Sequence, residues 1–130
     1  MIHLDTHIAV WLFLERSDRL PRHARDRLEA DPVALSPMAL LELAYLHEIG
    51  RLARTPADVL ASLTAALGVV VSDTPFAALV DHAMTLRWTR DPFDRLITAN
   101  ALVDGADLLT ADETIRAHCT TAFWDSAAAS

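Results

Sequence analysis

Four acidic side chains stand where apolar runs of this chain end or break. They are Asp5 after Ile2-His3-Leu4, Glu42 within 38–46, Asp94 in Arg90-Asp91-Pro92-Phe93-Asp94-Arg95, and Asp112 after Leu108-Leu109-Thr110. A carboxylate beside buried apolar surface is costly unless something positive compensates it. Four such positions point to one shared partner, and a hard divalent cation is the simplest partner for clustered carboxylates. Taken singly, Asp5 and Asp112 read equally well as helix N-caps. Asp94 stands three residues after Asp91, at capping-box spacing. Glu42 demands more, because it interrupts a helix that is apolar on almost every side. Such a helix is expected to be buried, so this glutamate needs a ligand or a paired arginine such as Arg51.

Positioning these acids requires alternating strands and helices. Ile2-His3-Leu4 forms an opening strand, and Asp5-Thr6 caps a helix running to about residue 15. Pro21 opens a second helix to about residue 30, followed by a strand at Val33-Ala34-Leu35. Ser36-Pro37 is a strong helix start, with Gly50 as the stop. Pro56 opens the next helix, which ends near Gly68, and Val69-Val70-Val71 is a β-branched strand. Asp73 or Thr74 is expected to cap a helix over 75–86. Asp91-Pro92 starts another to about residue 103, Leu108-Leu109-Thr110 is a strand, and a short helix follows at 112–118. Ala122-Phe123-Trp124 is the last strand.

This order predicts a single α/β domain over 1–126, with a parallel sheet covered on both faces and a frayed tail at 127–130. Sites in such sheets form beyond the carboxyl ends of the strands. Asp5 and Asp112 fall there, and Glu42 and Asp94 are read as first-turn helix residues facing the same edge.

The bulk numbers bound the function. The chain has 130 residues, 52 % of them apolar, enough to build a core. No apolar stretch is long enough to span a membrane, and the N-terminus has no basic segment followed by an apolar one. Cys119, the single cysteine, reads as a core thiol in a reducing cytoplasm. The net charge of −7 argues against a broadly basic nucleic-acid surface. Setting the four acids aside more than halves that excess, and a bound cation reduces it further. All basic residues are arginine, clustered at Arg16, Arg19, Arg22, Arg25 and Arg27 and again at Arg87, Arg90 and Arg95. Both clusters read either as solvated helix faces or as phosphate contacts. Trp11, Trp88 and Trp124 read as core rather than stacking platforms.

At this point the chain resembles a family. Asp5-Thr6-His7 after the opening strand, Ser36-Pro37 followed by Glu42, Asp91-Pro92-Phe93-Asp94-Arg95-Leu96-Ile97, and Leu109-Thr110-Ala111-Asp112 are similar to the ordered motifs of PIN-domain nucleases. The Asp-Pro-Phe-Asp-Arg block more particularly resembles VapC-type toxins of type II toxin–antitoxin pairs. The resemblance spans residues 1 to about 124. It implies a three-layer α/β/α sandwich with a short, mostly parallel sheet, and a Mg²⁺- or Mn²⁺-dependent endoribonuclease leaving 5′-phosphate and 3′-hydroxyl ends. Its catalytic acids map onto Asp5, Glu42, Asp94 and Asp112, with Asp5, Asp94 and Asp112 as metal ligands. Asp91 is left as the N-cap and a possible auxiliary acid. Arg90 stands where relatives often carry histidine. Thr6, Ser36 and Arg95 are the expected substrate contacts, with a salt bridge ordering the acids as the rival role of Arg95. The resemblance also implies a homodimer, a small antitoxin covering the acidic groove near Trp11 and Phe13, and a higher toxin–antitoxin assembly.

Rival chemistries lack their residues. There is no Gly-x-Ser-x-Gly elbow, phosphate loop or His-Glu-x-x-His. The Asp-x-Asp of metal-dependent phosphatases is absent, since Asp5-Thr6-His7 stands in that place. A noncatalytic PIN-fold module that binds RNA or protein is the alternative from a different class.

Overall fold

The short apolar runs pair side by side into a sheet, which buries all of them except the edge run Val70-Val71. The strands β1 (Ile2–Leu4), β2 (Val33–Leu35), β3 (Val70–Val71), β4 (Asp107–Leu109) and β5 (Ala122–Phe123) form one sheet in the order β3-β2-β1-β4-β5. Every pairing is parallel, with Ile2 opposite both Val33 and Asp107, and Leu109 opposite both Leu4 and Phe123. The computed structural model describes residues 1–125. The tail expected at 127–130, and the domain end placed at 126, lie outside the described residues.

Among the described residues, seven α-helices cover the sheet: α1 (Thr6–Phe13), α2 (Arg22–Ala30), α3 (Pro37–Glu48), α4 (Pro56–Leu67), α5 (Phe76–Ala83), α6 (Pro92–Val103) and α7 (Glu113–His118). β1 and β2 are buried throughout, which explains why they read as unbroken apolar runs rather than alternating ones. Ile2, Leu4, Leu35, Leu108, Leu109 and Phe123 form the centre of the core. The architecture is the expected α/β fold, with a sheet that is wholly parallel. Among the described residues, no helix is long and apolar enough to cross a membrane.

The strand order carries the functional consequence. The chain builds outward from β1 to β3, then returns to lay β4 on the other side of β1. Connections leaving β1 and β4 therefore diverge, opening a crevice beyond their carboxyl ends. Asp5 follows β1 directly, and Thr110 follows β4 directly.

Four local expectations are corrected. α1 stops at Phe13 rather than near residue 15, because Glu15 takes a left-handed backbone conformation with φ 56°. α5 spans Phe76–Ala83 rather than 75–86, and its N-cap is Pro75 with no side-chain hydrogen bond. Thr74 does not cap it, because its hydroxyl is drawn to Asp104 instead. α3 is not buried all round: Leu41, Tyr45 and Ile49, one helical turn apart, are 56 %, 50 % and 47 % exposed. Glu42 lies in the second turn of α3, not the first.

Asp104 also ties the sheet to α6. His3, fully buried in β1, lies with Nε2 2.8 Å from Asp104 Oδ2. Ser72 Oγ donates to the same oxygen at 2.8 Å, and Asn100 Nδ2 donates to it at 3.1 Å. Burial works against the Asp104 charge, but the hydrogen bonds from Thr74, Ser72 and His3 outweigh it and hold this carboxyl below its usual range. Burial also depresses His3, against the pull of Asp104, so the imidazole is a neutral donor at neutral pH. Asp104→Ala strands several buried polar groups and is expected to cost about 2–3 kcal/mol, or roughly 10 °C in melting temperature. A melt within about 2 °C of wild type, by the scale of these effects, contradicts that role.

Candidate active site

Asp5 both caps α1 and lines a cavity. Its Oδ1 accepts from the Thr6 backbone N–H at 2.8 Å, and its Oδ2 accepts from Thr110 Oγ1 at 2.7 Å. A carboxylate offers about four lone-pair sites, so capping leaves it capacity for more. Thr110 Oγ1 in turn accepts from the Asp112 backbone N–H at 3.0 Å. One buried hydroxyl thus couples the carboxyl end of β1 to the start of α7. Asp112 caps α7, its Oδ1 accepting from the Ile115 N–H at 3.0 Å. Asp91 caps α6 through the N–H groups of Phe93 and Asp94, at 2.8 and 3.2 Å.

Asp5, Glu42, Asp94 and Asp112 line one open cavity of about 290 Å³, together with Thr6, His7, Val10, Trp11 and Leu46. The N-termini of α1, α6 and α7 bring three of these acids to it, and helix N-termini favour negative charge. That benefit does not prevail at Asp94. Burial, and then repulsion from Asp91, Asp5, Asp112 and Glu42, push its carboxyl up to about 7. Burial raises Glu42 as well, with Asp5 and Asp91 adding repulsion and Thr6 working the other way. The Thr6 hydroxyl is buried and has no partner within hydrogen-bond geometry.

This environment lacks positive charge. Among the described residues, no ion pair joins the carboxylates of Asp94 or Glu42 to arginine. A divalent cation therefore fits the donor set: it offsets the repulsion and suits hard oxygen ligands. Among the described residues, no three His, Cys, Asp or Glu side chains close into a ready-made cage. The acids ring a cavity instead, which suits an ion such as Mg²⁺ that keeps several waters and takes few carboxylates directly.

A family model described as PIN domain matches residues 2–119. The chain belongs to the PIN-domain family. Ribonuclease VapC22 of Mycobacterium tuberculosis (strain ATCC 25618 / H37Rv) is 36% identical to it over 118 residues, 88% of this chain and 89% of that protein. Solved structures share the fold at lower identity. VapBC2 from Rickettsia felis, bound to a DNA fragment from its promoter, gives a TM-score of 0.67 at 20% identity, covering 96% of this chain and 100% of that one. A toxin–antitoxin complex from Klebsiella pneumoniae gives 0.66 at 18%, covering 98% and 99%. DNA-bound VapBC from Salmonella typhimurium gives 0.55 at 22%, covering 84% of each chain.

This PIN domain does not bring every expected contact to the cavity. Thr6 lines it. Ser36 is fully buried as the N-cap of α3, accepting from the Met38 N–H at 3.2 Å. Arg95 turns away: its Nε donates to the Thr89 carbonyl at 2.8 Å, and it lines a separate groove with Val80, Met84 and Leu96. The salt bridge to the acids considered for Arg95 is likewise not among the ion pairs of the described residues.

Three residues of the PIN domain were not singled out for the site by sequence. Thr110 was legible only as part of a motif, although Thr-x-Asp at a strand end is the available signal. His7 lines the cavity, with the Ala111 N–H donating to its Nε2 at 3.0 Å. That bond leaves the ring proton on Nδ1, 3.4 Å from Asp5 Oδ2. Trp11, read as core, forms part of the cavity wall. Thr110→Val removes the shared hydroxyl while keeping the shape. It is expected to slow turnover about tenfold, as loss of an outer partner does at metal sites, with roughly 1–3 kcal/mol of destabilisation. Wild-type turnover in a folded variant contradicts the coupling.

Proposed function

We propose that this PIN domain is a divalent-metal-dependent endoribonuclease acting as the toxin of a toxin–antitoxin pair. The observation that carries the reading is the single cavity lined by Asp5, Glu42, Asp94 and Asp112, with Asp94 pushed up to about 7 by burial and its acidic neighbours. The 36% identity to a ribonuclease supports the choice of substrate.

Asp5, Asp94 and Asp112 would hold Mg²⁺ or Mn²⁺. When bound, such an ion lowers the pKa of water and offsets charge in an in-line phosphodiester displacement. Asp5 is oriented for its task by the Thr6 N–H and the Thr110 hydroxyl. Burial raises the pKa of Glu42 above the usual carboxylate range, a direction that suits a group taking the proton of the attacking water. Asp91, engaged as a cap, contributes charge rather than ligation. Cleavage leaves a 5′-phosphate and a 3′-hydroxyl.

The solved relatives are VapBC or toxin–antitoxin complexes, and a cognate antitoxin is proposed here by analogy. A homodimer through the exposed Leu41-Tyr45-Ile49 stripe and Phe76, 64 % exposed, accounts for the apolar surface left in water. Leu41→Asp is expected to halve the solution mass. An unchanged mass, or a monomeric wild type, argues against this face.

Wild-type cleavage of total RNA, lost in Asp5→Asn, supports the enzyme. RNA that is bound but left intact, equally by wild type and Asp5→Asn, supports the noncatalytic module instead.

A further inference from the structure

We infer that Trp11 and Arg19 form a nucleotide subsite beside the carboxylate cavity, the indole stacking on a base and the guanidinium gripping its phosphate. This rests on the ribonuclease reading. Trp11 is only partly buried and lines the cavity with Asp5 and Asp112. The Arg19 guanidinium lies over its ring, 5.4 Å from the centroid.

The wall behind Trp11 is built. The His7 ring meets the indole edge-on at 5.1 Å and 67°, and is itself held by the Ala111 N–H. Trp124 lies on it at 5.9 Å and 59°. An aromatic with one flank supported and one side open to a cavity is a stacking platform, and every base presents a face to such a platform.

Charge singles out Arg19. A ring of carboxylates repels a polyanion, so RNA needs a cation at the rim. Within the first arginine cluster, Arg16 pairs with Asp18, Arg22 with Asp26, and Arg27 with Asp31 and Asp107. Arg25 lines a different groove with Leu12 and Leu67. Arg19 is exposed and has no acidic partner among the described residues. An incoming base replaces the guanidinium over the indole, and the guanidinium moves to the adjoining phosphate, which it grips bidentately. A basic protein tail would meet repulsion from Arg19 at the same place.

Steady-state cleavage of a single-stranded RNA oligonucleotide with Mg²⁺ tests this in wild type, Trp11→Ala, Trp11→Phe, Arg19→Ala and Arg19→Lys. Trp11→Ala and Arg19→Ala are expected to raise KM about tenfold, within the range for lost stacking, with kcat little changed. Trp11→Phe should restore most of the loss. Arg19→Ala should also flatten the dependence of log KM on log salt by about 0.7, as for one phosphate contact on a single strand, while Arg19→Lys keeps it. If Trp11→Ala does not fold, the exposed Arg19 carries the test. Unchanged KM and salt slope in variants of an active enzyme overturn the subsite alone, also where antitoxin binding is lost, which would make the pair a protein contact. A wild type that leaves RNA intact overturns both readings.

Discussion

Asp94→Asn is expected to slow RNA cleavage by on the order of a hundredfold or more, the scale for losing one charge-stabilising group at a reacting phosphate, while making the metal-free protein more stable. The opposite signs are the point. Asp94 sits in the first turn of α6 with its carboxyl pushed up to about 7 by burial and by Asp91, Asp5, Asp112 and Glu42. At pH 8 the fold therefore holds a charge it disfavours. Full conversion of such a shift gives about 4 kcal/mol at 1.36 kcal/mol per unit. The group is half-buried, and allowing for water reduces this to on the order of 2 kcal/mol. Asparagine keeps the shape without the charge, so the melting temperature should rise by about 5 °C or more. A structural aspartate would give the reverse, lower stability with cleavage retained, and that pattern in assay and melt would reject the site role.

Metal-free protein is expected to lose stability as pH rises from 5 to 8, and Mg²⁺ is expected to restore it. An unfolded aspartate releases its proton near 3.9, while folded Asp94 holds its proton to about 7. Between those values the native state binds the extra proton, so raising pH favours unfolding until the folded group has titrated. Glu42, raised by burial, contributes in the same direction. A cation bound only by the folded state adds about 2.7 kcal/mol at a hundred times its dissociation constant. That gain should shrink below pH 6, where Asp94 is protonated, and should shrink at every pH in Asp94→Asn. Melting curves in EDTA and in Mg²⁺ across this range are sufficient. A flat pH profile with no shift on adding Mg²⁺ would contradict a cation-binding role for these acids.

Local signals carried much of the fold. Ser36-Pro37 and Asp91-Pro92 mark the starts of α3 and α6 because capping needs only neighbours in sequence. Buried strands announced themselves as apolar runs. The errors arose where a distant residue intervened. Thr74 was expected to cap α5, but Asp104, thirty residues on, takes its hydroxyl. The exposure of Leu41, Tyr45 and Ile49 departs from the expected burial of α3, because periodicity reports apolarity and not whether core or a partner covers it.

The acids themselves were legible by their types and by where the apolar runs break. Their surroundings were not. Arg95 adjoins Asp94 in sequence, yet helix geometry and the Thr89 carbonyl send it to another groove. Thr110 meets Asp5 only because β1 and β4 lie side by side, a pairing no local pattern reveals. Capping does not take Asp5 away from the cavity, since its two oxygens serve α1 and Thr110 while the residue lines it.

The most direct test is cleavage of total RNA by the purified protein in Mg²⁺, Mn²⁺ or EDTA, with the ends of the products mapped. The four-carboxylate account predicts cleavage with either ion, none in EDTA, and 5′-phosphate ends. RNA left intact under every condition, or cut equally well in EDTA, would contradict it.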